Sequence, residues 1–537
     1  MAAARTDPRT RSEAADDRRA QDRQRRDLLV VIGLLVVSAI GPIFLLASSP
    51  YGVHATPDSF TYLGAADQLA RGHGWTYPFG SPGSPVTLFP PLYPLLLAIP
   101  EVLDLSVFRW ATWQNAILLG AFCFVAGVMV AQVTRAFVPA ALAALLIALG
   151  PPTIIAYAHL WSEPLFFPLV LVILAALARF LATWQARWLV ISGAACSVAM
   201  LTRYAGFSVW VTACLLLLSW PGQRPLQRLS RTALFVAVSL PLSALWSLRN
   251  LTNSGTLTGD NNLVHGLTAH DVIGGFGTVA SWFVPEQLEG RTRLLFVLVA
   301  VALSVLLGLV IWAWVRTRTS IAPPGGWPIV VVCFTYAAIH FAFIAVANAY
   351  STRSPPFNDR ILGPAFAPLV IAIVAVGHAF WRSLPQVLVR AGVAVTGLAM
   401  VTVSALAAMT TANVNYAPVR GTLTDYRRIA REIAPAIRPD AALLSNRANI
   451  AWFVTARVVK TLPRSCTGGH VLPNPTYDRD LVDLAGRLGE RPRQVIFFRN
   501  SPKCEPFSLE GLKTALRVEQ VGPRAPVFVM DGPTSQR

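Results

Sequence analysis

The sequence predicts a polytopic α-helical membrane protein of about eleven transmembrane helices, carrying a small α/β domain at its C-terminal end. Three observations carry this prediction. Of the 537 residues, 54% are hydrophobic and only 13% charged, and the mean hydropathy is +0.52, which excludes a single soluble globule. Apolar runs recur along the chain at about 20 residues, the length that crosses a hydrocarbon core of roughly 30 Å. After residue 412 the pattern changes to short alternating segments.

Residues 1–27 hold eight Arg and six acidic residues without an apolar run, and read as a disordered cytoplasmic tail. Their mixed charge does not suit a signal peptide, so the run 28–47 is taken as an uncleaved anchor. A large outer loop, 48–109, comes next. Pro90, Pro91 and Pro94 interrupt regular helix in it, while its apolar residues favour the headgroup boundary. Spans are expected at 110–133, 137–158 and 164–183. The stretch 188–219 as one helix would run about 48 Å, well beyond the core. Splitting it at Thr202-Arg203-Tyr204 gives two short spans, brings Arg203 to the interface, and avoids the cost of about 2.5–3.5 kcal/mol for a charge at the middle of a span. Further spans are expected at 232–248, 293–315, 327–348, 361–381 and 391–412.

This count places Arg135, Arg187, Arg224, Arg228, Arg231, Arg316, Arg318, Arg382 and Arg390 on one side, as the positive-inside pattern requires. The N-terminus is then cytoplasmic and region 413–537 extracytoplasmic. That region reads as helices 424–437, 448–455 and 478–489 with strands 441–446, 457–461, 493–499 and 526–530. It has no glycine-rich phosphate loop, nucleophile elbow or paired carboxylates; its most site-like point is Ser445-Asn446-Arg447 at a strand end. Of the net charge of +18, this region contributes 19 Lys+Arg against 11 Asp+Glu. Its placement outside, with the loop Arg inside, points to an anionic lipid surface or glycan and not to nucleic acid. Cys123, Cys196, Cys214 and Cys333 fall in spans as packing residues. Cys466 and Cys504 fall in the outer domain, where a disulfide is an open alternative to two free thiols.

Sorting the loops by side gathers the site-like residues outside. The first outer loop holds Asp58, Tyr62, His73 and Tyr93. The second, His159-Leu-Trp-Ser-Glu163-Pro164, opens a helix with a proline at its first turn. Arg203-Tyr204, Arg249-Asn250, Arg353 and Asp359-Arg360 face the same compartment. A carboxylate can take the proton of an attacking hydroxyl, and guanidinium groups can hold a departing phosphate by charge and paired hydrogen bonds. The chemistry suggested is glycosyl transfer from a lipid phosphate. Plainer readings stand beside it: Asp58 as a helix N-cap, Glu163 as a first-turn carboxylate facing the helix dipole, Arg203 as a snorkelling residue, and Trp110, Trp161 and Trp246 as interfacial anchors.

These fragments also resemble a family. Asp58-Ser-x-x-Tyr62, Phe89-Pro-Pro-Leu-Tyr-Pro, Ser-Glu163-Pro-Leu, Leu201-Thr-Arg203-Tyr, Leu248-Arg249-Asn-x-x-x-x-Gly255 and Asp359-Arg360-Ile-Leu-x-Pro364 are similar in order to the GT-C membrane glycosyltransferases, in the branch of the dolichyl-phosphate-mannose protein mannosyltransferases and aminoarabinose transferases, including bacterial relatives. The resemblance covers about residues 28–412. It implies an inverting transferase that takes a sugar from a polyprenyl-phosphate donor at the outer face of the cytoplasmic membrane and passes it to a glycan, lipid or protein acceptor. By motif position Asp58 inherits the role of catalytic base, with Glu163 a second catalytic carboxylate. Many relatives have Asp-Glu where this chain has Asp58-Ser59, so a second carboxylate there is absent or moved to Glu163.

Arg203, with Arg249, Arg353 and Arg360, is expected to bind the donor phosphate, and Tyr62, His73, Tyr93, His159 and Tyr204 to line the substrate site. No cofactor is implied by the fragments, and the first loop lacks an Asp-x-Asp pair; some distant members of the family use a divalent ion, which leaves a metal as an alternative. The Arg-rich, Lys-poor composition fits a GC-rich bacterial genome, with decaprenyl or undecaprenyl phosphate as carrier. Two alternatives of another class remain, a transporter or flippase of an anionic lipid-linked substrate and a non-catalytic assembly subunit. The first would favour ionisable residues deep within several spans, whereas here nearly all charges lie at span ends.

Overall fold

The computed structural model describes residues 8–50, 52–259, 266–283, 326–350, 355–383, 423–463, 466–467, 472–488, 493–498, 519–520 and 527–531. Among them, five helices are long and apolar enough to cross a membrane: Gln24–Ser48, Val107–Thr134, Glu163–Thr183, Trp327–Tyr350 and Asp359–Ala379. Two bent pairs bring the number to seven, Phe137–Leu149 with Pro151–Tyr157 at 54° and Pro225–Ser239 with Pro241–Ser254 at 57°. Both bends fall at proline, which withholds an N–H from the helix ladder and crowds the carbonyl four residues earlier. The expected spans 293–315 and 391–412 lie outside the described residues.

The stretch 188–219 is broken as its composition demands. Helix Ala186–Thr202 ends at Arg203, whose backbone is extended, and helix Gly206–Ser219 starts three residues later. Gly206 makes the break tight: a Cβ there would lie 2.8 Å from Met200 backbone atoms, so only glycine admits this approach. At the N-terminal end the structure departs from expectation. Helix runs from Pro8 to Ser38 without interruption, where a disordered tail was expected. Arg and Ala make up half of residues 8–27, and both are strong helix formers, so the anchor helix extends back through the charged segment.

The membrane helices pack around Glu163–Thr183, which is apolar on nearly every side and touches Val107–Thr134, Ala186–Thr202 and Trp327–Tyr350, as an all-round apolar helix must. A second core lies apart from this one. There the first outer loop and the C-terminal region share one cluster: Val53, Phe60, Leu63 and Leu97 are buried together with Ile433, Leu443, Ile450, Val459, Ile496 and Val527.

The sheet records the same union. Strands β1 (Phe79–Gly80), β2 (Ala442–Ser445), β3 (Val459–Thr461), β6 (Arg493–Phe498), β7 (Glu519–Gln520) and β8 (Val527–Asp531) form one six-stranded sheet in the order β1-β3-β2-β6-β8-β7, while β4 (Cys466–Thr467) and β5 (Leu472–Pro473) pair separately. β1 comes from the first loop and pairs parallel with β3, Phe79 opposite Val459. β2 lies parallel to β3 and β6, with helix Ala448–Thr455 between β2 and β3, the crossover that parallel strands need. The loop 48–109, expected as a large outer loop of the transmembrane domain, thus shares a sheet and a core with the C-terminal region. Cys504 lies outside the described residues, so the Cys466–Cys504 pairing does too.

Candidate active site

The site forms where four helix ends meet. Helix Pro57–Ala70 begins with Thr56 as its N-cap, and Thr56 and Ser59 make a capping box: Ser59 Oγ accepts the Thr56 N–H at 2.9 Å. The helix end is therefore capped without Asp58, whose carboxylate is left to reach across the site. Ser59, the departure from the Asp-Glu pattern, serves the cap. Helix Glu163–Thr183 begins at Glu163 itself, with Pro164 in its first turn as expected. Arg203 sits at the break described above. Arg360 lies on the short helix Asp359–Leu362, capped by Asn358, whose Oδ1 accepts the Ile361 N–H at 3.0 Å.

These four charges form one network. Arg360 donates through Nη1 to Asp58 Oδ2 at 2.6 Å and through Nε to Glu163 Oε1 at 2.5 Å. Arg203 Nη1 meets the same Glu163 oxygen at 2.7 Å and also donates to Ser162 Oγ at 2.9 Å. Two cations on two carboxylates leave the cluster neutral, the condition under which buried charge is tolerated. The two acids are not equivalent: the Glu163 side chain has no exposure, whereas that of Asp58 is 36% exposed. Asp58 is the carboxylate a substrate can reach. Glu163 holds the two guanidinium groups together from beneath.

Aromatic groups shape the floor. The Arg360 guanidinium lies 4.0 Å from the centroid of Trp161, a cation–π contact, and Trp161 stacks on His159 at 4.1 Å and donates its indole N–H to Thr56 Oγ1 at 2.8 Å. Trp161, expected as an interfacial anchor, is buried beneath the site. Burial, with His54 and Arg360 nearby, pushes the His159 imidazole down to about 4. Tyr62 is buried with its hydroxyl 3.2 Å from Ser162 Oγ, and burial raises its phenol above the ordinary tyrosine range. Tyr93 packs edge-on against Tyr62 at 5.0 Å.

The other expected residues lie elsewhere. Arg249 donates to the carbonyls of Val86 and, at 3.2 Å, Trp75, and lies over Trp246 at 4.8 Å. Tyr204 donates to Thr87 O at 2.8 Å and accepts from Asn250 Nδ2 at 2.8 Å. These two residues fasten the first loop to helix Pro241–Ser254. His73 is exposed on that loop, and Arg353 lies outside the described residues. Ser162, Trp161 and Thr56 were not singled out as site residues from sequence. The signal for the first two was their place directly before Glu163; for Thr56, a Thr-Pro pair opening a helix.

No protein-family model matches the chain, and no curated protein matches it by sequence. Solved structures do match. Crystal structures of ArnT, an aminoarabinose transferase from Cupriavidus metallidurans, one bound to undecaprenyl phosphate and one in the apo state, superpose with a TM-score of 0.57 at 15% identity, covering 93% of this chain and 98% of that one. The mycobacterial arabinofuranosyltransferase AftD superposes with a TM-score of 0.53 at 14% identity, over 94% of this chain and 40% of that one. At such identity the likeness speaks for the fold: this is a multi-pass membrane protein with the fold of the GT-C glycosyltransferases.

Proposed function

We propose that the protein is an inverting glycosyltransferase that moves a sugar from a polyprenyl-phosphate donor to a glycan, lipid or protein acceptor at the outer face of the cytoplasmic membrane, with its N-terminus cytoplasmic and its C-terminal domain outside. The observation that carries this reading is the Asp58–Arg360–Glu163–Arg203 network, one reachable carboxylate beside two clustered guanidinium groups at the ends of membrane helices. The undecaprenyl phosphate bound to ArnT supports the donor class.

The donor phosphate enters beside Arg203 and Arg360 and competes with Asp58 for the Arg360 Nη groups. Asp58 Oδ2 is thereby released toward the acceptor. It takes the hydroxyl proton as the acceptor oxygen attacks the anomeric carbon; the bond from that carbon to the phosphate oxygen breaks, and its electrons leave with the polyprenyl phosphate. Arg203 and Arg360, both largely buried, stabilise the developing charge as fixed cations that need no reorganisation. Charge neutralisation by arginine leaves no step that requires a metal. One displacement at carbon inverts its configuration.

The test is made on purified full-length protein. Asp58→Asn, which no longer competes with the phosphate for Arg360, is expected to bind undecaprenyl phosphate at least as tightly as the intact protein while losing about 10²–10⁴ in turnover, the usual worth of a general base. Arg203→Ala and Arg360→Ala are expected to lose the lipid phosphate itself. Undiminished turnover in Asp58→Asn would remove Asp58 from the chemistry.

A further inference from the structure

His340, fully buried on helix Trp327–Tyr350, takes no part in the chemistry above, yet it touches the segments that carry both guanidinium groups. Its Nε2 lies 3.0 Å from Ile361 O, the carbonyl next to Arg360, and its Nδ1 lies 2.9 Å from Ser208 Oγ. Ser208 is in the first turn of helix Gly206–Ser219, directly after the break that holds Arg203, and its hydroxyl also reaches Ala205 O at 2.7 Å within that break. A carbonyl can only accept, so Nε2 carries the hydrogen and Nδ1 is an acceptor facing Ser208 Oγ, whose single hydrogen is shared between Nδ1 and Ala205 O. The ring is a spacer with one donor and one acceptor.

We propose that His340 is a positioning residue that sets the separation of Arg203 and Arg360 by bridging Ser208 to Ile361, so that both guanidinium groups converge on one phosphate. This rests on the donor-phosphate reading. The alternative support of each segment does not do the same work: Asn358 and Trp282, the latter donating to Asp359 Oδ1 at 2.7 Å, hold the Arg360 turn but do not reach the Arg203 break. Among the described residues, the Ser208–His340–Ile361 chain joins the two segments by side-chain hydrogen bonds that do not pass through Glu163. Two arginines that share one carboxylate oxygen need a second fixed distance to define their geometry, and a rigid ring supplies it.

Full-length protein with His340→Leu or His340→Gln is compared with the intact chain for undecaprenyl phosphate binding and thermal midpoint. Leucine fills the site without a hydrogen bond, whereas the glutamine amide offers an acceptor and a donor spaced much like the ring nitrogens. The expected result is that His340→Leu weakens binding roughly three- to ten-fold, the worth of a lost buried hydrogen bond, and that His340→Gln restores most of it, with both variants still melting cooperatively well above the temperature of the binding measurement. Intact-like binding by His340→Leu overturns the proposal alone, as does a glutamine variant that binds as poorly as leucine. Failure of the intact protein to bind the lipid phosphate overturns the donor reading and this proposal with it.

Discussion

Glu163 shows how far burial alone separates two carboxylates of one network. Its side chain is wholly enclosed and its charge is met by Arg203 and Arg360 on a single oxygen, so its removal takes the carboxylate from the largely buried Arg203 and leaves Arg360 with Asp58 alone. Glu163→Ala is expected to destabilise the protein by about 3–5 kcal/mol, as breaking a buried pair does, read as a lowered thermal midpoint in detergent; Asp58→Asn, at the exposed end, is expected to move it little. His159 offers a pH test. Its imidazole is held down to about 4 against an ordinary value near 6.5, so the unfolded chain binds the extra proton first. Stability is then full above about pH 6.5 and falls as pH drops toward 4, by up to roughly 3 kcal/mol. Thermal midpoints across that range in the intact protein and in His159→Asn, which lacks the titrating group, check the slope: the variant is expected to be flatter.

At the scale of elements, the site depends on helices that stop in the right place. The break at Arg203 was legible because a charge in a 32-residue apolar stretch has few tolerable positions. That Gly206 seals it against Met200 was not, because close backbone approach is a tertiary fact. Gly206→Val is expected to push the two short helices apart, costing about 1–3 kcal/mol and weakening lipid phosphate binding through Arg203, measured by thermal midpoint and affinity on the same sample. The helix that carries Asp58 is gripped from outside: Asn449 donates to Pro57 O at 2.8 Å and Tyr426 to Ala55 O at 3.3 Å, while Phe60 packs edge-on with Tyr426 at 4.7 Å. The C-terminal region therefore braces the start of the Asp58 helix.

For the whole molecule, composition and apolar spacing made the membrane class and the α/β character of the C-terminal region legible, and strand and helix positions there agree within a few residues. Asp58, Glu163, Arg203 and Arg360 could be grouped because each was expected at or shortly beyond a span end on the same side, and span ends follow from hydropathy. Arg249 shares that placement but is held by loop carbonyls. Nothing in sequence separates a guanidinium that meets a carboxylate from one that meets a backbone oxygen, since the partner lies more than 150 residues away. The joining of β1 to β3 was hidden for the same reason: a two-residue strand has no periodicity of its own, and its pairing partner lies in a distant part of the chain. Two cores result, one among the membrane helices and one shared by the first loop and the C-terminal region, and the charged network lies between helices that belong to both. The most direct test of the transferase account compares lipid-linked sugars and envelope glycans in cells making the intact protein, Asp58→Asn or neither. The account predicts that the variant and the null both accumulate one polyprenyl-phosphate sugar and lose one glycan modification; a variant that behaves like the intact protein while the null does not would contradict it.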